Sequence, residues 1–188
     1  MKHRIRFVPI VLALSLVLAL ALGACSAPAA SADSPFKYYK AVNIGMTQAQ
    51  VAAATGLTGV AETSSFALPN TFNYMDADKV YGVSVVLTDD LTVYSKTVLY
   101  PDHKVLAPLT AKPISQTLCD AITDGMPRAE VVALLGGPGV ECSRTVDSKD
   151  GTTPVGTIER WGNKDGSIIQ IAYTSDDTAH TALFFKGR

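Results

Sequence analysis

The sequence predicts an α+β fold: two tandem repeats of a helical hairpin plus antiparallel strands, with the helices packed on one face of a continuous curved antiparallel sheet. The first observation is a repeated phrase, because residues 41–51, AVNIGMTQAQV, return at 121–131 as AITDGMPRAEV. Between Tyr39 and Val60, a shift of 80 residues matches nine of 22 positions. The second observation is that helix start and stop signals flank both copies of the phrase. The third is that each copy is followed by runs of residues that favour β-strands.

The N-terminus predicts a lipoprotein signal peptide over residues 1–24. Three basic residues precede an almost wholly apolar run, Phe7 to Leu22, which is shorter than the roughly 20 residues of a spanning helix. The run ends in Leu-Gly-Ala-Cys, which resembles the lipobox of bacterial lipoproteins. The resemblance implies diacylglyceryl attachment to Cys25, cleavage before it and acylation of the new amino terminus. The alternative is an ordinary signal peptide followed by a chance cysteine.

The remaining chain is predicted to be one domain carried on a tether. Residues 25–35 are the lipidated cysteine and a flexible Ala, Ser and Pro segment, followed by repeat 1 at 36–110 and repeat 2 at 111–188. Cleavage removes three of 16 basic and none of 17 acidic residues, which leaves a formal charge of −4. This balance disfavours nucleic acid as a partner. We expect the protein in the bacterial cell envelope, on the extracytoplasmic side of the membrane.

Helix signals flank the Gly-Met dipeptide in both repeats. Thr47-Gln48-Ala49-Gln50 has the capping-box pattern, and Pro127 supplies a fixed φ at the equivalent helix start. Gly56 and Gly136 are predicted to end these helices as left-handed caps. Helices of two or three turns are marginal alone, so they require a sheet to pack on.

Six strands are predicted from runs of β-branched and aromatic residues joined by short turns: Thr71–Met75, Tyr81–Leu87, Thr92–Tyr100, Gly156–Trp161, Ser167–Tyr173 and Ala179–Phe185. Alternation places Val83, Val85, Ile169 and Ile171 on the face that meets the helices. The opposite face carries small or mildly polar residues. An open sheet face of this kind suits binding another protein.

Two cysteines remain besides Cys25. An even number of cysteines in an oxidising compartment favours a disulfide. Cys119 lies near the start of a helical hairpin and Cys142 just past its end, so we predict a bond between them. Two buried free thiols are the alternative. No nearby His or second Cys pair completes a zinc site.

The sequence offers no catalytic constellation, and we predict no enzyme, no cofactor and no metal. His103 and His180 have no carboxylate or nucleophile at a motif spacing, and Ser34-Pro35-Phe36-Lys37 lacks the companion motifs of penicillin-interacting serine enzymes. The acidic loop 147–151 has Ile158 where a calcium loop needs its bidentate Glu.

The repeated Gly-Met-Thr/Pro-x-Ala-x-Val with its downstream Gly resembles the beta-lactamase inhibitory protein family. The resemblance implies a concave sheet that clasps a class A beta-lactamase. It also implies that Phe66, Asp78 and Lys104 match interface positions, with Asp78 where the inhibitor inserts an aspartate that mimics a substrate carboxylate. We add Tyr74 and Trp161 as candidate contacts in an aromatic patch on the open face.

This chain departs from the inhibitor at most of its aromatic contacts. Lys79 and Gly82 replace tyrosines after the inserted aspartate, and Thr145, Gln170 and Ala172 replace tryptophans and a histidine. The favoured hypothesis is a lipid-anchored, non-catalytic module for an unknown protein partner, either a class A beta-lactamase or another cell-wall enzyme. The alternatives are a structural envelope lipoprotein similar to small outer-membrane assembly factors and, third, an enzyme.

Overall fold

The architecture is an open antiparallel sheet with short helices packed on one face. The structure is a computed structural model, and it describes residues 36–65, 67–99 and 112–187. Within these ranges the helices are α1 (Lys37–Ala41), α2 (Gln48–Thr55), α3 (Gln116–Asp120) and α4 (Arg128–Leu135). The strands are β1 (Gly59–Ala61), β2 (Thr71–Met75), β3 (Gly82–Leu87), β4 (Val93–Leu99), β5 (Val140–Val146), β6 (Pro154–Gly162), β7 (Ile168–Thr174) and β8 (Ala179–Phe185). The α+β class is confirmed.

The described strands form one sheet in chain order, β1 to β8, with each strand antiparallel to the next. The six predicted strands are present, with bounds within two residues of those expected. Sequence reasoning missed β1, which has only three residues, and β5, which pairs with both β4 and β6. β5 therefore joins the two halves, although only three residue pairs connect it to β4.

Helix ends follow the predicted signals. The Thr47 side chain accepts a hydrogen bond from the Gln50 backbone N–H at 3.3 Å, while the Thr47 N–H donates to the Gln50 side chain at 2.8 Å. Gly56 and Gly136 close α2 and α4 at φ values of 70° and 79°. This left-handed conformation favours glycine.

Each Gly-Met turn is bound to the strand beneath it by the same pair of backbone hydrogen bonds. The Gly45 N–H donates to the Val93 carbonyl at 2.8 Å, and the Gly125 N–H donates to the Ala179 carbonyl at 2.7 Å. Val93 and Ala179 donate in return to the carbonyls of Met46 and Met126, each at 2.8 Å. The turn between two helices is thus fixed directly to the last strand of its own half, β4 or β8.

Two hydrophobic clusters hold the helices on the sheet. The first joins α1 and α2 to β2, β3 and β4, including Val51, Tyr74 and Val83, and the second joins α3 and α4 to β6 and β7, including Val131 and Trp161. A register row runs through Val85, Lys96, Arg144, Thr157 and Tyr173. Because this row links both clusters, the helices of the two halves lie on the same face of the sheet.

Candidate functional site

The open face of the sheet is the surface opposite the helices. One register row crosses it from edge to edge, through Val60, Asn73, Ser84, Thr97, Ser143, Ile158, Ala172 and Thr181. In the middle of this row the residues are small and carry hydroxyl groups, as the alternation predicts. Any partner docked here would meet a polar strip with aliphatic residues on either side of it along the row.

Hydroxyl pairs cross the junction between the halves on the open face. The Ser95 and Thr145 hydroxyls lie 2.8 Å apart, and those of Thr97 and Ser143 also lie 2.8 Å apart. The Ser143 hydroxyl is also placed to donate to the Lys96 carbonyl at 3.2 Å. These groups satisfy one another, so the strip is held in place without a partner.

The second half of the open face contains a partly buried cation. The Arg160 guanidinium donates from Nε and Nη2 to Gln170 Oε1 at 2.8 and 2.5 Å. Burial lowers the pKa of Arg160 to about 10. On β8 beside it, Leu183 and Phe185 are 44% and 37% exposed. Gln170 is therefore already bonded to Arg160 within the protein.

The β2–β3 hairpin places Asp78 at its exposed tip. At the hairpin base, the Asp76 carboxylate accepts hydrogen bonds from the backbone N–H groups of Val80 and Tyr81 at 2.7 and 3.2 Å. Lys79, next to Asp78, has a φ of 54° and is exposed. Of the five predicted contact residues, Asp78 is the one that the described structure places on an accessible loop.

Tyr74 and Trp161 do not lie on the open face, and the predicted aromatic patch is wrong. Both side chains are fully buried on the helix face, and each ring lies against a glycine, Gly59 for Tyr74 and Gly139 for Trp161. The Trp161 indole N–H donates to the Gly137 carbonyl at 2.9 Å. These two aromatics are core residues of their halves, which removes them as contacts for a partner.

Three other predicted site residues lie outside the described ranges: Cys25, Phe66 and Lys104. Their roles stay predictions.

The predicted disulfide is not formed, because Cys119 and Cys142 are both free and buried. Cys119 packs in the second hydrophobic cluster and Cys142 in the first. The prediction failed because Cys142 lies within β5 and not in a loop at the end of a helical hairpin. Burial raises the pKa of the Cys142 thiol to about 12 and also raises that of Cys119.

We therefore expect a reductant to leave the thermal unfolding midpoint unchanged. Ellman's reagent should detect Cys119 and Cys142 only after denaturation, since neither thiol is accessible or ionised in the folded protein. A midpoint that falls by roughly 10 °C in dithiothreitol, the size expected for a lost disulfide of this loop length, would contradict the free-thiol structure.

Sequence reasoning also missed a polar network around Arg128 at the start of α4. The guanidinium donates to Glu159 Oε1 at 2.9 Å and to the Thr157 hydroxyl at 2.6 Å, and it pairs with Asp177 at 2.7 Å. It also stacks 4.2 Å from the centre of the Tyr173 ring. A pocket of about 350 Å³ lies beside this network, lined by residues that include Arg128, Arg144, Thr157 and Asp177. The signal in the sequence was Glu159, a carboxylate at a buried strand position.

The charges of this network are already matched within the protein. Burial raises the pKa of Glu159 above its ordinary value, although the Arg128 charge opposes the shift. Arg144, the second guanidinium at the pocket, pairs with Glu141 at 2.7 Å. Both guanidinium groups therefore have carboxylate partners, and we assign the network a structural role.

Neither a metal centre nor a spanning helix was found where the structure is described. Residues 36–65, 67–99 and 112–187 contain no group of three or more His, Cys, Asp or Glu side chains placed to hold a metal ion. None of the helices in those ranges is long and apolar enough to cross a membrane.

A helix-backed antiparallel sheet with an open face and an exposed charged hairpin defines an α+β domain of a kind suited to protein binding. Residues 36–153 match the family model described as beta-lactamase inhibitor (BLIP), and this chain belongs to that family. The match includes the Asp78 hairpin and all of β1 to β5. No curated protein matches the chain.

Proposed function

We propose that this chain is a lipid-anchored extracytoplasmic module that binds a class A beta-lactamase, or another cell-wall enzyme, without catalysing a reaction. The observation that carries the proposal is the family match over residues 36–153, which includes the hairpin that presents Asp78. The binding surface is the open face together with this hairpin.

Asp78 is the proposed principal contact. It is exposed, and among the described residues its carboxylate has neither a hydrogen-bond partner nor an ion-pair partner. A free carboxylate on a protruding hairpin fits a cationic cleft, and the family resemblance implies that such an aspartate mimics a substrate carboxylate. Complementary charge of this kind speeds association and favours the correct partner.

The rest of the open face supports weaker binding than the inhibitor family achieves through its aromatic contacts. Thr145, Gln170 and Ala172 lie on this face in place of bulky anchors, and Gln170 is already bonded to Arg160. Each missing hot spot is worth about 2 kcal/mol, or roughly 30-fold in affinity. Binding is therefore expected to depend strongly on the hairpin.

Anchoring at Cys25 completes the proposal. The basic n-region, the short apolar run and Leu-Gly-Ala-Cys support lipidation, and the segment 26–35 supplies a tether between the membrane and the folded domain. Radiolabelled palmitate should label the wild type, and Cys25→Ser should abolish the labelling.

We also infer that the two halves are copies of one unit. The order of a short helix, a Gly-Met turn, a longer helix and four strands occurs in both halves. The paired backbone hydrogen bonds from Gly45 and Gly125 support this inference.

The test is inhibition of class A beta-lactamase by the lipidated protein purified in detergent. We expect the wild type to slow hydrolysis of a chromogenic β-lactam and Asp78→Ala to raise the inhibition constant by about 30-fold, since truncation of a hot spot costs about 2 kcal/mol. Asp89→Ala is the matched control, because it removes an exposed aspartate from the β3–β4 turn at the opposite end of the sheet. Equal inhibition constants for the two variants would contradict the role of Asp78, and no binding by the wild type to any class A enzyme would contradict the partner.

A further inference from the structure

We propose that Asp76 is a positioning residue that fixes the tip of the β2–β3 hairpin and so presents Asp78 to the partner in one conformation. This inference rests on the proposed function, because it concerns the same binding surface. It assigns a role in binding to a side chain that itself faces the hairpin backbone and not the partner.

The hairpin tip is held by four hydrogen bonds that involve Asp76. Its carboxylate accepts from Val80 N–H through Oδ1 at 2.7 Å and from Tyr81 N–H through Oδ2 at 3.2 Å. Its own backbone N–H donates to the Tyr81 carbonyl at 2.9 Å, and its carbonyl accepts from the Lys79 N–H at 3.0 Å. Asp76 thus forms hydrogen bonds with three successive residues on the other side of the turn, 79 to 81.

The base of the hairpin is also tightly packed, which limits how the tip can move. Gly82, the first residue of β3, pairs with Met75, and a Cβ atom at Gly82 would clash with the Tyr74 carbonyl and the Met75 sulfur. Tyr74 is itself fully buried beneath the helices. The tip therefore extends from a rigid base, and the Asp76 carboxylate orders the few residues beyond it.

The residues at the tip carry charges that the described part of the protein leaves unpaired. Asp78 and Lys79 are both exposed, and neither forms an ion pair within residues 36–65, 67–99 and 112–187. Lys79 adopts φ 54°, an uncommon conformation for a residue with a side chain, which the hydrogen bond from its N–H to Asp76 supports. Ordering this segment before binding removes an entropic cost that a flexible loop would incur on docking.

The chemistry of the tip also defines the partner site. An acidic and a basic side chain are adjacent, so the complementary surface has a cation at its centre for Asp78 and an acidic or carbonyl group beside it for Lys79. A uniformly cationic cleft would repel Lys79. Among enzymes that bind carboxylates, the hairpin should therefore prefer those with an acidic or carbonyl group beside the cation.

The experiment is a double-mutant cycle between positions 76 and 78, measured as dissociation constants of the full lipidated protein for a class A beta-lactamase. We expect Asp76→Ala to weaken binding about tenfold in the wild-type background and to have almost no effect when Asp78→Ala is already present. Asp76→Asn retains one carbonyl acceptor and should recover part of the affinity. Amide hydrogen exchange at Val80 and Tyr81 in the unbound protein should accelerate in Asp76→Ala.

Asp150→Ala is the matched control. Asp150 also accepts hydrogen bonds from two backbone N–H groups, those of Thr152 and Thr153, each at 2.8 Å, in the β5–β6 hairpin. Because β2 and β5 run in opposite directions, that hairpin lies at the other end of the sheet. We expect its loss to leave the dissociation constant unchanged.

Two affinity results would overturn the inference while leaving the proposed function intact: unchanged affinity in Asp76→Ala, or an equal loss of affinity with and without Asp78. Unchanged exchange at Val80 and Tyr81 would also overturn it, and this readout needs no partner. Failure of the wild type to bind any beta-lactamase would instead overturn the proposed function, and the inference with it.

Discussion

Replacing Trp161 with alanine is expected to lower the free energy of unfolding by about 3 to 5 kcal/mol, the usual cost of removing a fully buried large aromatic. The side chain is 0% exposed and lies in the second hydrophobic cluster with Val131, Leu135 and Ile169. Its indole N–H donates to the Gly137 carbonyl, so the change also leaves a backbone acceptor without its partner. Urea denaturation followed by circular dichroism measures the loss.

Two further variants separate the parts of this effect. Trp161→Phe keeps most of the apolar contact and removes the hydrogen bond, so it should be less destabilising than alanine. Phe185→Ala removes an aromatic that is 37% exposed on the open face and should change stability by much less. If Trp161→Ala unfolded at the wild-type urea concentration, the burial of Trp161 would be wrong, and its assignment as a binding residue would return.

The strand pattern of this chain was predictable because period-two alternation reports directly which residues are buried. Val83, Val85, Ile169 and Ile171 are all 0% exposed, as the alternation indicates. The capping box at Thr47 was equally readable, since it depends on residues three positions apart. Both features depend on residues close together in the sequence, so the sequence alone is enough to predict them.

The two missed strands show where that approach fails. β5 has the sequence VECSRTV and its register shifts twice against β6, so no simple alternation marks it as a strand. Its pairing with β4 depends on contacts between residues about 50 positions apart in the sequence. Missing β5 also led to the wrong disulfide, because Cys142 was expected just past the end of the helical hairpin, next to Cys119, and not inside a strand.

The candidate site was predicted only in part, because an aromatic residue on a strand fits both a core and a binding face. Tyr74 and Trp161 have aliphatic or polar neighbours that leave this choice open. A signal was present in the repeated glycines, since Gly59 and Gly139 lie 80 residues apart and each makes room for one buried ring. Asp76 was missed for another reason: its role depends on a turn conformation that the sequence alone does not specify.

The second large effect is expected at Arg128. Arg128→Met keeps much of the side-chain length over Tyr173 and removes the charge beside Glu159, whose side chain is only 10% exposed. Leaving a buried carboxylate without its cation is strongly destabilising, and because Arg128 itself is 25% exposed we expect about 3 kcal/mol at pH 7, the lower end of the usual range. Urea denaturation at several pH values measures it.

The pH dependence identifies Glu159 as the cause. Burial holds the pKa of Glu159 above its ordinary 4.5, so the folded state binds this proton more tightly than the unfolded chain does. Its contribution to stability is therefore greatest at low pH and falls as the pH rises from about 4.5 through the raised pKa. Because Arg128 opposes the rise, Arg128→Met should raise this pKa further and should destabilise the protein more at pH 7 than at pH 4.5. Adding Glu159→Gln should restore part of the stability at pH 7 and remove most of the pH dependence; a loss that is independent of pH and of Glu159 would show that Arg128 acts through packing on Tyr173 alone.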